Sequence, residues 1–331
     1  MAAIALRSPQ YKSAIAAYGS PQSAKITITI DGAATPQYTL VKPIAYLETM
    51  LWEIAELCRD FMNITFNGNY TPETLAIIST LTSHASTDGS GAYLTSNVFT
   101  DVGYDGYGTF MQGANPIIPF NNIPRWLLNT NPSSLNQYYI YVPNNTAGVL
   151  PYIAANASLN YQSFTSTATE INSGAGQFDV DIIRIDCTKY GNGHKITFVN
   201  KFGALQDIWF FLKSVNTTNK KQEQFQRNII DGNGGYNVNT HTKQDYNTIA
   251  NTSIILSSGY YPEWANQWFE QLLLSEQVWL TRIKESDSSS SEVVPVNVAK
   301  SSMVKKTSLN DKLIEYTFEF DMSFDYINNI R

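Results

Sequence analysis

Carboxylates set close to phenols are the first residues of this chain that could do chemistry. Asp101-Val-Gly-Tyr104-Asp105-Gly-Tyr107-Gly108 places two acids and two tyrosines within one glycine-rich stretch. Two carboxylates that face each other can cleave a glycosidic bond, one as proton donor and the other as nucleophile or base. Tyrosine rings in the same loop could instead stack on a sugar. The glycines favour an exposed loop, so Tyr104, Asp105 and Tyr107 form the candidate binding surface, with the Asp101/Asp105 hydrolase as the weaker alternative. Elsewhere the chemistry thins out. The three histidines, His84, His194 and His241, do not stand with other ligands at metal-binding spacing. The stretches beginning at Asp88 and Asp231 resemble fragments of calcium loops without the alternating acids or the closing Glu. Neither a nucleophile elbow, a phosphate-binding loop nor a dinucleotide fingerprint occurs. The expectation is no catalytic residue, no metal and no cofactor.

Composition narrows the class. The chain has 331 residues, enough for two or three domains, and 43% are hydrophobic but only 15% charged. Asn, Ser, Thr and Tyr take the place of charge, which suits wide protein contacts. Twenty Tyr and sixteen Phe favour strands. The net charge of −6 disfavours sequence-independent nucleic-acid binding, which needs a basic face. No apolar run approaches membrane-spanning length, and the first residues lack the features of a signal peptide. Cys58 and Cys187 fit buried thiols in a reducing compartment.

The elements that must carry these residues read as mainly β, within the α+β class. Residues 25–31 alternate and end at Asp31-Gly32, a hairpin signal, with residues 37–42 as the partner strand. Residues 45–63 follow helical spacing through Leu51, Ile54, Cys58 and Phe61; a strand over residues 50–54 followed by a short helix competes. Strands are expected at 75–83, 92–98, 126–128, 138–142, 152–155 and 178–185. Residues 195–203 and 205–212 form an apolar hairpin at the centre of a second core. The polar run 219–228 reads as a crossing between domains. In the last third, a strand at 251–257 precedes a helix over 262–275, with Pro262 in its first turn and Trp264, Trp268 and Leu272 on one face. Three strands follow, including the alternations Val294/Val296/Val298 and Tyr316/Phe318/Phe320. The boundaries predict a domain over 1–115 with one helix, a middle β domain over 116–230, and a β-sandwich with a single packed helix over 231–331. Two or three antiparallel sandwiches or barrels result.

Three stretches carry a resemblance: residues 36–42 (Pro-Gln-Tyr-Thr-Leu-Val-Lys), residues 195–211, and the segment from Leu272 to Arg331. They resemble virion structural proteins of tailed bacteriophages of Bacteroidetes-type hosts. The order of elements in the last third is similar to the tail-tube unit of tube, distal-tail and baseplate proteins. The resemblance implies a structural tail or neck component located in the virion, made in the host cytoplasm, and closing into a ring with itself and with other tail proteins. Its inner face would meet DNA only in passing. In such proteins a hairpin reaches the neighbouring subunit, which makes Ser286, Asp287 and Ser288, at the Ser-rich tip, the candidate inter-subunit contacts. The alternative is a receptor- or carbohydrate-binding module of the tail tip, using the loop at 101–108.

Overall fold

The computed structural model describes residues 2–15, 23–44, 49–118, 123–129, 138–172, 179–186, 189, 193–228, 230, 232–283, 291–299, 302–307 and 312–325. It is mainly β, built on two large sheets. The first takes its shape from Ser23–Ile30, where Ile26, Ile28 and Ile30 are buried and Lys25, Thr27 and Thr29 alternate with them. Asp31 and Gly32 both take the left-handed backbone that reverses the chain. The five strands run in the order Ala2–Ala5, Tyr93–Tyr104, Leu75–His84, Ser23–Ile30, Tyr38–Pro43. All pairs are antiparallel except Ala2–Ala5, which runs parallel to the end of Tyr93–Tyr104.

A two-stranded ladder of Tyr11–Ile15 with Thr49–Glu53, and the helix Ala55–Arg59, cover the buried face of this sheet. Of the helix expected over residues 45–63, Thr49–Glu53 is instead strand and only the five residues Ala55–Arg59 are helical. The competing strand-then-helix reading describes it. Trp52 is 1% exposed and Ile54 0%, so the ladder and the turn into the helix anchor this layer. Residues 45–48 lie outside the described residues.

The second sheet has seven strands in the order Leu205–Phe210, His194–Val199, Val278–Ile283, Ser291–Val298, Thr317–Met322, Lys243–Ser257, Ser214–Gln226. The apolar hairpin at 195–212 forms as expected, and Ile196, Phe198, Ile208 and Phe210 are buried in the largest core cluster. Across that core lie the helix Asn266–Leu274 and two three-stranded sheets. One of these contains Gly148–Ile153; the other contains Tyr138–Pro143 and Val180–Ile185. Trp268, Phe269 and Leu272 bring the helix's apolar face onto Phe210 and Phe318. Each such burial contributes about 1.5–3 kcal/mol. The helix is shorter than the 262–275 expected. Pro262 is extended and pairs, with Tyr261, against Leu313–Ile314; a 3-10 turn over Glu263–Ala265 then leads into the helix. Glu263 N–H donates to the Lys312 carbonyl, which holds this start in the extended state.

Two expected domain boundaries do not divide the fold. Ile118 N–H donates to the Ala3 carbonyl, and Ile117 bridges Ile4, so the chain after residue 115 packs on the first sheet. The boundary at 230/231 falls at the end of a hairpin whose two strands belong to one sheet. The polar run 219–228 is not a crossing: most of it is strand in that hairpin.

Candidate functional site

Residues 101–108 are not an exposed loop. Asp101 to Tyr104 end the strand Tyr93–Tyr104 and pair with Ala2 to Ala5. Tyr104 is 0% exposed and Asp105 3%. The Tyr104 ring lies among Ala3, Ile118, Leu127, Ile153 and Phe202, and its hydroxyl donates to the Ala157 carbonyl at 2.6 Å. A ring so placed cannot stack on a sugar. Tyr107 is half-buried, and its backbone N–H donates to the Lys201 carbonyl at 2.9 Å. Burial, then the charge of Glu270, pushes its phenol up to about 12.

The segment clamps the two large sheets together. Gly106 passes so close to the Lys201–Phe202 backbone that a Cβ there would sit 2.6 Å from the Lys201 carbonyl oxygen. Gly203 meets it from the other side, at φ +81°, and a Cβ would lie 2.7 Å from the Asp105 nitrogen. Only glycine allows both approaches. Asp105 accepts two hydrogen bonds from Arg7, at 2.9 Å from Nε and 2.6 Å from Nη2. The side chains are 9% and 4% exposed. Arg59 Nε stands 3.3 Å from Asp105, and Glu276, next to the end of the terminal helix, pairs with both arginines. Burial pulls the Arg7 guanidinium down, but the Asp105 hydrogen bonds and charge outweigh it, leaving it above its ordinary value. Lys12 pairs in the same way with the buried Asp101. Both candidate carboxylates are thus engaged with cations, which removes the observation behind a glycoside-cleaving pair.

A second contact fastens residues 64–70 to the outer face of the seven-stranded sheet. Tyr70 donates to Asp207 at 2.5 Å, Thr197 donates to the other Asp207 oxygen at 2.6 Å, and Lys195 Nζ lies 3.1 Å from the Tyr70 hydroxyl. Phe66 packs on Trp279 and Tyr70 beside it. Arg7, Arg59 and Tyr70 did not stand out in the sequence because their partners lie far along the chain.

The remaining sequence candidates resolve individually. His84 is buried, with Nε2 at 2.9 Å from the Thr82 hydroxyl; His194 is half-buried; His241 is exposed. Among the described residues no group of three or more His, Cys, Asp or Glu could hold a metal ion. Asp88 accepts from the backbone N–H and hydroxyl of Ser90, at 3.0 and 2.7 Å, and these bonds hold its carboxyl down to about 2. It closes a turn. Trp264 and Trp268 meet edge to face at 5.0 Å, with Trp268 in the core. Asp231, Cys187 and the tip residues Ser286, Asp287 and Ser288 lie outside the described residues.

What projects from the fold is the hairpin of Ser214–Gln226 with Lys243–Ser257. Lys243–Ser257 pairs with Thr317–Met322 only over residues 253–257, so residues 243–252 have one neighbouring strand. About ten residues at about 3.3 Å each carry this ribbon roughly 30 Å beyond the sheet. From Val215 to Gln226 every residue of its outer strand is exposed. Phe225 and Tyr246 pack on one another at 5.7 Å while staying 44% and 47% exposed. Ile230, Tyr236 and Val238 near the end are more exposed still. The ribbon was missed in the sequence because its outer strand is exposed along its length, and an unburied strand need not alternate.

Comparison with protein-family models, with curated proteins and with solved structures found no match.

Proposed function

We propose that this chain is a structural subunit of a phage tail or neck that closes into a ring with copies of itself and grips the proteins above and below. The observation that carries this reading is the projecting ribbon. Among the described residues no strand pairs with the far side of its outer strand, and such an edge is a template for pairing with another chain. A two-stranded hairpin alone is marginally stable in water, so a ribbon of this length gains most from a surface that receives it. An edge on one side of a subunit that meets a different surface on the next is a heterologous contact, and rings are built from such contacts. The clamp of Arg7, Asp105, Arg59 and Glu276 fits the same role, because a subunit that bears load needs its sheets fixed relative to each other. With a net charge of −6, a lumen formed by such subunits would let DNA slide through without binding.

The glycan-binding alternative rested on an exposed aromatic loop, and Tyr104 and Asp105 are buried. The test is assembly. A phage whose copy of the gene lacks the ribbon beyond Asn219 and Asn251, rejoined by a short Asn-Gly turn, should make heads but no complete tails. Normal particles from that phage would overturn the reading.

A further inference from the structure

The ribbon carries a net positive charge in an acidic chain. Residues 213–246 contain five lysines and arginines against three acids, whereas the rest of the chain contains 17 against 25. Within the ribbon, Lys220 is already paired with Asp245 at 3.3 Å. Lys221, Arg227 and Lys243 are exposed and make no ion pair among the described residues. On the body of the subunit, Glu170–Ile171 is, among the described residues, an edge strand of the three-stranded sheet with Val180–Ile185 and Tyr138–Pro143. There Glu170 stands directly opposite Asp181. Like charges in that position oppose strand pairing. Asp179 adds a third carboxylate close to Glu170. The one arginine on that strand, Arg184, is turned to the carbonyls of Pro143, Thr146, Thr165 and Ala168.

Resting on the ring reading above, we propose that the ribbon of one copy docks along the Glu170/Asp181 edge of a second copy, with Lys221 and Arg227 relieving the facing carboxylates. The occupant of this surface is another copy of the chain because the complementary charges both belong to it. The ribbon projects away from its own sheet, and roughly 30 Å of reach is enough to cross to a neighbour. Open strand edges on both sides give the contact backbone hydrogen bonds, and the charges set its register and partner.

Sedimentation of the full chain, over a range of concentration and salt, tests the idea. The chain should self-associate, less strongly as salt rises. The variant K221E/R227E should weaken association at least tenfold, and so should E170K/D181K, with circular dichroism checking that each folds. Mixing the two variants should restore association, since the ribbon of each is then complementary to the edge of the other. If removing the ribbon weakens association but E170K/D181K does not, the docking site is wrong while the ring reading stands. If the unaltered chain stays monomeric at every concentration, or binds duplex DNA through the ribbon instead, both fall.

Discussion

Replacing Asp105 by alanine isolates the clamp. Arg7 is 9% exposed, so removing its bidentate partner leaves a nearly buried guanidinium whose remaining anion, Glu276, is 3.6 Å away and 60% exposed. Breaking one side of a buried pair costs about 3–5 kcal/mol. Glu276 compensates in part, which puts the expectation near the lower end, about 3 kcal/mol. At about 2 °C per kcal/mol for a chain of this size, the melting temperature should fall by roughly 6 °C. The double replacement Arg7→Met with Asp105→Leu should recover most of that loss, because an apolar pair of similar volume avoids both desolvation penalties. Differential scanning calorimetry on the two variants and the parent reads the effect. A loss below about 1 kcal/mol in Asp105→Ala, the scale of an exposed ion pair, would refute the claim that this network holds the sheets together.

Three further outcomes follow from the same geometry. Gly203→Ala should destabilise at least as much as a buried cavity mutation, about 3 kcal/mol or more, because it combines a positive φ with a Cβ 2.7 Å from the Asp105 nitrogen; thermal melts check it. Burial pushes the Cys58 thiol up to about 12. In a Cys187→Ser background, a thiol reagent at pH 8 should therefore react only after denaturant is added. Burial lowers the pKa of His194, so the unfolded chain binds more protons than the folded one as pH drops below about 6.5. Stability from this residue should be complete at neutral pH and decline as the pH falls through that window. His194→Gln should flatten the corresponding part of a melting-temperature profile.

Much of the fold was legible because burial leaves a period in the sequence. Ile26/Ile28/Ile30 and Phe318/Phe320 announce their strands, and Trp268 with Leu272 announces the helix face. The segment at 45–63 was harder. Leu51 and Phe61 fit a helical stripe yet are 51% and 44% exposed, so apolar spacing alone pointed to the wrong period. Glycine next to acid and tyrosine reads as a solvent loop by local chemistry. Asp105 is instead buried by a partner 98 residues away, and the glycines serve close backbone approach rather than exposure. The ribbon is the reverse case: an outer strand exposed along its length has no apolar repeat to betray it.

The measurement that bears most directly on the proposed role is a cryo-EM reconstruction of the particle that contains this chain. A subunit in the proposed role should appear as a closed ring of copies around the tail axis, with each ribbon lying on its neighbour. Density for isolated copies at a fibre or spike tip, their ribbons free in solvent, would contradict it.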